Sequence, residues 1–298
     1  MDCDPGVDDA IALMLVCRSP ELSLAGVIAA PGNAPPSVTA ANAAAILRLC
    51  GRSDVPVYMG ASRYLTGQNA SLSGFCGENG LCGIALPDGA PVRPDGVDWL
   101  CAALCAAKEP LTLLSTAPLT DLALALKRRP EAARGIAAVV TVCGYYGLCG
   151  AESGMQPRAE WNAAVDLPAC EIISGAGIPV CAIGLDVSGQ LTDSFAQLLL
   201  SRAKESCFTS FVRQSAEYYT AHALERFSLF VDAMAAAWLI QPELAHLCEG
   251  AVLQDGRGPL LDTGLFLRDD KGIQRSCFRA ADRFDWEAYA GLLLRRIL

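Results

Sequence analysis

Short, almost unbroken apolar runs alternate with stretches of helical period through the first two-thirds of the chain. "LSLAGVIAA" (22–30), "VPVYMG" (55–60), "LTLLST" (111–116), "IAAVVTVCG" (136–144) and "IPVCAIGLDV" (178–187) have the length and the β-branched content of buried strands. Between them, "SVTAANAAAILRLCG" (37–51), "GVDWLCAALCAAKE" (96–109) and "PLTDLALALKRRP" (118–130) space their apolar residues for one helix face. Strands that are apolar on both faces and alternate with helices predict a mostly parallel central sheet covered by helices on both faces, an α/β fold. After residue 190 the pattern becomes mostly helical, with a short strand-like section at 263–268 and a final helix, "DWEAYAGLLLRRIL".

Two stretches interrupt this rhythm. Residues 61–94 are rich in Gly, Ser, Asn and Pro, and so is "GYYGLCGAESGMQPRA" (144–159). Long irregular segments in a compact domain usually carry function. Neither a linker nor an internal repeat divides the chain, so the expectation is one domain over 1–298.

The chain opens on "MDCDPGVDDAIALML", which sets Asp2, Asp4, Asp8 and Asp9 directly before an apolar helix. In a parallel sheet, ligands bind where strands end and helices begin. One Asp at a helix start is an ordinary cap, worth about 1 kcal/mol. Two like charges at about 4 Å cost about 4 kcal/mol at an effective dielectric near 20. The helix dipole returns only about 0.3–1 kcal/mol per charge. A proton or a cation must therefore join the group, and an all-oxygen set points to Ca²⁺ or Mg²⁺. An EF-hand is excluded, because its sixth and twelfth positions counted from Asp2 are Val7 and Leu13. The DxD spacing of Asp2 and Asp4 also occurs in phosphatases of the haloacid-dehalogenase type, although Gly6 stands where that loop carries Thr or Val.

Further polar residues are embedded in apolar context. Asn33 ends "PGN" after one strand; Thr116 follows another; "AEWN" supplies Glu160 and Asn162; Asp232 opens the apolar "VDAMAAAWLI". Taken singly, Asp232 reads as an N-cap.

Composition narrows the partners. The formal charge of −9 argues against nucleic acid or an anionic membrane. No apolar run reaches 18 residues, and no secretory leader is visible. Fourteen cysteines sit singly in apolar stretches without a CxxC pair, and only His222 and His246 could accompany them in a metal site. Reduced core cysteines and a cytoplasmic protein are the expectation.

Together, "DCDPGVDDAIAL", "GVIAAPGN", "LTLLSTAPLTDLALAL", "AEWNAAVDLPA", "GIPVCAIGLDV" and "VDAMAAAWLIQPEL" resemble, in order, segments of the nucleoside hydrolases, the inosine–uridine-preferring N-ribohydrolases. The resemblance implies the nucleoside hydrolase fold and Ca²⁺-dependent cleavage of the N-glycosidic bond of ribonucleosides, in purine or pyrimidine salvage. It implies that Asp4, Asp9, the main-chain carbonyl of Thr116 and Asp232 hold Ca²⁺, with Asp4 also the general base. It assigns Asp8, Asn33, Glu160 and Asn162 to the ribose hydroxyls, and a homodimer or homotetramer to the assembly.

The chain departs from the family on the leaving-base side. Val231 stands where many members carry a histidine before the last calcium aspartate. The flap reads "CGENGL", with Cys76 in place of histidine, and Gly154 takes the place of an asparagine. Cys76, Tyr218, Tyr219 and His222 are the candidates for that side, against amphipathic packing for the last three. Hydrolysis of a non-standard N-riboside, or ribose binding without catalysis, are the competing readings. With only Met1 ahead of the acidic strand end, the first strand is expected to be missing or to begin upstream.

Overall fold

The computed structural model describes residues 1–69, 76–148, 160–224, 228–253, 265–268 and 278–298. The amino-terminal part alternates β1 (Asp2–Cys3), α1 (Val7–Cys17), β2 (Val27–Ala29), α2 (Pro36–Leu49), β3 (Val57–Met59), α3 (Gly96–Ala106), β4 (Leu111–Ser115), α4 (Thr120–Arg128) and β5 (Ile136–Thr141). The short α5 (Trp161–Val165), α6 (Leu167–Gly175), β6 (Val180–Ala182) and α7 (Leu185–Ser188) follow. Then come α8 (Asp193–Arg202), α9 (Cys207–Ala221), α10 (Val231–Ile240), β7 (Ala245–Leu253), β8 (Leu265–Arg268), β9 (Phe278–Phe284) and α11 (Trp286–Arg296).

One nine-stranded sheet runs in the order β3-β2-β1-β4-β5-β6-β9-β7-β8. The pairs from β3 across to β9 are parallel, and β7 runs antiparallel to both β8 and β9. The parallel sheet with helices on both faces agrees with the apolar pattern. One cluster packs α1, α2, α9, α10 and α11 against one face, and a second packs α3, α4 and α6 against the other. Helix α1 is buried from Val7 through Val16 apart from Asp8, and Ala233–Ala237 of α10 are fully buried. Helices apolar all round must lie inside, which is why these two pack on one another.

The chain winds outward from β1 to β3, then returns to place β4 on the other side of β1. That reversal is the switch point at which strand-end loops part and leave a crevice. The loops after β1, β2 and β4 meet there.

Two expectations are corrected. Residues 178–187 do not form one strand: β6 stops at Ala182 and Gly184 opens α7. The carboxyl-terminal part carries β7 and β9, which the helical reading passed over. "AHLCEGAVL" and "FRAADRF" are interrupted by charged residues that face outward from an antiparallel pair, so neither shows an apolar run.

The first strand is present, though only two residues long. Asp2 and Cys3 pair with Ile28 and Ala29 on one side, and Asp2 pairs with Ser115 on the other. The Met1 amino group donates to the Gly26 carbonyl at 2.9 Å, and the Thr116 amide donates to the Asp2 carbonyl at 2.9 Å. Asp4 therefore keeps its anchor. Beneath Met1 lies a cavity of about 420 Å³ lined by Leu24, Ile28, Trp99, Leu111 and Leu113 among others.

Candidate active site

The loop from β1 to α1 turns at Pro5-Gly6, and Gly6 caps α1. Asp9, in the first turn, reaches back across this loop. Its carboxylate accepts from the amides of Asp4 (3.2 Å) and Gly6 (3.3 Å). It also accepts from the Thr116 hydroxyl at 2.6 Å and from Asn33 Nδ2 at 3.1 Å. One buried carboxylate thus ties the ends of β1, β2 and β4 together.

Asp4 is held just as closely. Its Oδ2 accepts from the Asn33 amide at 2.7 Å, and its carbonyl accepts from Asn33 Nδ2 at 3.1 Å. This grip depends on Gly32, where a Cβ would stand 1.7 Å from Asp4 Oδ2. Gly6 has a similar duty, since its Cβ would meet Asn33 Nδ2 at 2.6 Å.

Asp8, Asp9 and Asp232 bring carboxylate oxygens within 4.8 Å of one another. Asp4, Asp9 and Asp232 are buried, and Asp8 is half-buried. Burial pushes the Asp4 carboxyl well above its ordinary value, and the Asp9 charge pushes it further while the Asn33 amide opposes. Burial raises Asp8 to about 6 against its own and Asp9's backbone amides. Asp9 rises to about 7, first through burial and next through Asp8. Asp232 is raised strongly by burial, then by Asp8, Asp9, Asp4 and Glu160. No cationic side chain of the described residues appears among these influences. Four acidic groups that resist ionisation together, offering only oxygen, are a donor set that fits a hard divalent cation.

The remaining expected residues are distributed as follows. The Thr116 carbonyl accepts from Asn162 Nδ2 at 2.9 Å, and the same amide group donates to the Val142 carbonyl, clasping the ends of β4 and β5. Glu160 is the N-cap of α5, accepting from the amides of Asn162 and Ala163, and also from Gly144, each at 2.9 Å. Both residues are buried at the rim of the crevice and are engaged by the backbone in this structure. Asp2, which a phosphatase would need as its nucleophile, is buried with neither carboxylate oxygen hydrogen-bonded among the described residues.

On the opposite wall, a turn spanning 76–84 is organised by Asn79, whose Oδ1 accepts from the amides of Leu81 and Gly83. Cys76 Sγ lies 3.6 Å from the Tyr219 hydroxyl, and both residues are buried. Burial and then the charge of Asp8 push the Tyr219 phenol well up. Tyr218 stacks on His222 with ring centroids 3.9 Å apart, and His222 is exposed. Val231 is half-buried beside Asp232, while Gly154 lies outside the described residues.

Several residues in the site's frame escaped the sequence reading. Asn42 of α2 donates to the carbonyls of Pro5 (2.9 Å) and Asn79 (2.8 Å), joining the acidic loop to the turn. Asp186 accepts from the amides of Tyr146 and Leu148, and Asp166 from the Leu65 amide and the Thr120 hydroxyl. A single Asn or Asp in a helical stretch carries no mark of such long-range partners. Only the apolar context around Asp186, in "AIGLDVSG", could have flagged it.

Comparison with known proteins decides the family. The inosine-uridine preferring nucleoside hydrolase family matches residues 1–289. The chain belongs to that family. It is 36% identical over 251 residues to the pyrimidine-specific ribonucleoside hydrolase RihA of Escherichia coli, covering 82% of this chain and 79% of that one. The RihA of Enterobacter sp. matches at the same identity and coverage. A purine-preferring ribonucleoside hydrolase from Gardnerella vaginalis superposes with a TM-score of 0.85 at 26% identity, over 99% of this chain and 96% of that one. The protein is thus a nucleoside hydrolase, an N-glycosyl hydrolase acting on ribonucleosides. No helix among its described residues is long and apolar enough to cross a membrane.

Proposed function

We propose that this nucleoside hydrolase works with Ca²⁺ held by Asp4, Asp9, Asp232 and the Thr116 carbonyl. The observation that carries the proposal is the convergence of Asp8, Asp9 and Asp232 at the switch point, with Asp4 on the adjoining loop. A calcium ion there would offset the acidic charge and make a water molecule more acidic.

Asp4 is the general base. Fixed by the Asn33 amide, its carboxylate accepts a proton from water as the oxygen attacks C1′ of the ribose. The C1′–N bond breaks through an oxocarbenium-like state, for which the surrounding carboxylates are favourable neighbours. Asp8, Asn33, Glu160 and Asn162 hold the ribose hydroxyls, so binding energy is directed to positioning the sugar. Glu160 and Asn162 keep their backbone partners while presenting their remaining lone pairs.

The electrons of the broken bond go to the base nitrogen, which must gain a proton or delocalise its charge. The Tyr219 hydroxyl, 3.6 Å from Cys76 Sγ, is the donor this reading assigns to that step. Tyr218 and His222 form the outer, aromatic part of that wall. The replacement of histidine by Val231 and Cys76 favours a second reading, a non-standard N-riboside with a better leaving base.

We also infer one domain spanning 1–298, a homodimer or homotetramer, and a cytoplasmic location. The last is supported by the twelve described cysteines, none of which forms a disulfide with another.

Release of reducing sugar from inosine, adenosine, uridine and cytidine, measured before and after chelation, tests the proposal. The expected result is turnover that chelation abolishes and calcium restores. Ribose binding without turnover of any riboside points instead to a binding protein.

A further inference from the structure

Strands β7 and β9 carry a second group of metal-type donors, far along the sheet from the acidic crevice. His246, Cys248 and Asp282 each offer a ligand atom within 4.8 Å of the other two. The way they meet is unusual for an antiparallel pair. His246 faces Arg283 and Cys248 faces Ala280, but Leu247 faces Ala281, so the register slips between His246 and Leu247. Asp282 is the extra residue of this bulge.

In an unbroken ladder Asp282 would lie opposite Leu247 and share its face, away from His246 and Cys248. The bulge re-aims it. Asp282 Oδ1 stands 2.6 Å from His246 Nδ1, and the Cys248 thiol hydrogen-bonds the same carboxyl group. Leu247 packs into one core cluster while Cys248 packs against the other, so Cys248, and His246 two residues before it, lie on the face opposite Leu247. Bulges that redirect a side chain in this manner are over-represented at functional positions.

An ion pair between His246 and Asp282 would need the bulge but not the thiol. A nucleophilic triad would need the imidazole between the thiol and the carboxylate. Here the carboxylate takes the central place and receives both other groups. Three donor atoms that converge on one point, each of a different element, match a small cation better than a chain of proton transfer. The partial burial of Asp282 works against its ionisation, but hydrogen bonds from His246 and Cys248 outweigh it and leave the carboxyl below its ordinary value.

We propose that His246 Nδ1, Cys248 Sγ and the Asp282 carboxylate form a site for a divalent cation of the zinc or cobalt class. Nitrogen, sulfur and oxygen donors suit that class, whereas the all-oxygen crevice suits calcium. Three protein ligands leave a fourth, tetrahedral position for water, and the side chain of His246 is 55% exposed, so the ion can enter from solvent. Binding converts the Cys248 thiol to a thiolate and releases that proton to solvent. The imidazole binds through its Nδ1 lone pair as the Nε2–H tautomer. Arg283, whose Nε is 4.0 Å from Asp282 Oδ1, has a 73% exposed side chain and can turn outward. The ion would staple β7 to β9 and so hold the antiparallel end of the sheet to its parallel body.

Cobalt titration of the full-length protein tests this independently of nucleoside turnover. The protein is first chelated, then kept in excess calcium so that oxygen-only sites are filled. Cobalt should give a near-ultraviolet thiolate charge-transfer band with the strong visible absorption of tetrahedral coordination, saturating at one ion per chain. Zinc should bleach both, and cobalt binding should release at least one proton per ion. Cys248→Ser should lose the charge-transfer band, while His246→Gln and Asp282→Asn should each weaken binding at least tenfold. His246→Gln alters an exposed side chain, so it reports on the site even where another substitution disturbs the hairpin. Absence of the band in the wild-type protein, or its persistence in Cys248→Ser, overturns the proposal.

Discussion

The two walls of the crevice are built on different principles. On one side, Asp4, Asp8, Asp9 and Asp232 crowd together where β1, β2 and β4 end, and almost every contact among them is charged or charge-assisted. On the other, the 76–84 turn meets α9 through a thiol–phenol contact and a ring stack. Buried like charges are costly in any sequence, so the first wall can change little without losing its purpose. The second is held by weak, interchangeable contacts and can be rewritten for a different leaving group.

The largest expected effects lie on the acidic wall. Asp4→Asn should lower kcat by about 10³–10⁴-fold while the protein stays folded, measured as reducing-sugar release. An activity near wild type would show that another group takes the proton. Gly32→Ala should follow closely, because the new Cβ displaces the Asp4 carboxylate; a loss of about 10²-fold or more is expected. Unchanged kcat in Gly32→Ala would mean that the Asn33 grip on Asp4 is dispensable.

The other wall should respond more gently and selectively. Tyr219→Phe should cost about 10–10²-fold in kcat on natural nucleosides. With 4-nitrophenyl riboside, whose leaving group needs no proton, the cost should vanish. An equal loss on both substrates would assign Tyr219 to packing.

Acid–base behaviour separates the walls as well. Free Asp has a pKa near 3.9, whereas folding raises Asp8 to about 6 and Asp9 to about 7. A carboxyl group with a raised folded-state pKa binds more protons in the native state, so it favours folding at low pH. That contribution is lost as pH rises through 6 and 7. Chelated protein should therefore lose on the order of a few kcal/mol of stability between pH 5 and 7.5, and calcium should remove the slope. A melting temperature that is flat over this interval in chelator would contradict the charge crowding.

The smallest effect concerns the frame. Adding four apolar residues ahead of Met1 should extend β1 into the cavity lined by Leu24, Ile28 and Leu111 and raise the melting temperature by about 2–4 °C. No change would show that the cavity does not accept an added strand.

The acidic wall was legible in the sequence for the same reason that it is rigid. Four aspartates ahead of an apolar helix demand compensation, and no local structure supplies it. The strand–helix alternation up to β6 was equally open, since strands buried on both faces are apolar throughout. The strands β7 and β9 were not, because one of their faces meets solvent and Arg279, Asp282 and Arg283 break the run. Asn42 and Asp186 stayed hidden too. Their roles depend on carbonyls and amides of distant loops, which no spacing along the chain announces. Glu160 was assigned to the sugar, and the structure adds that its carboxylate already receives three backbone amides.

Isothermal titration of chelated protein with calcium at pH 7.5 addresses the cation most directly. One ion per chain should bind to the wild-type protein, and Asp9→Asn or Asp232→Asn should abolish the heat. A wild-type protein that takes up no calcium, yet still cleaves nucleosides in chelator, would contradict the account.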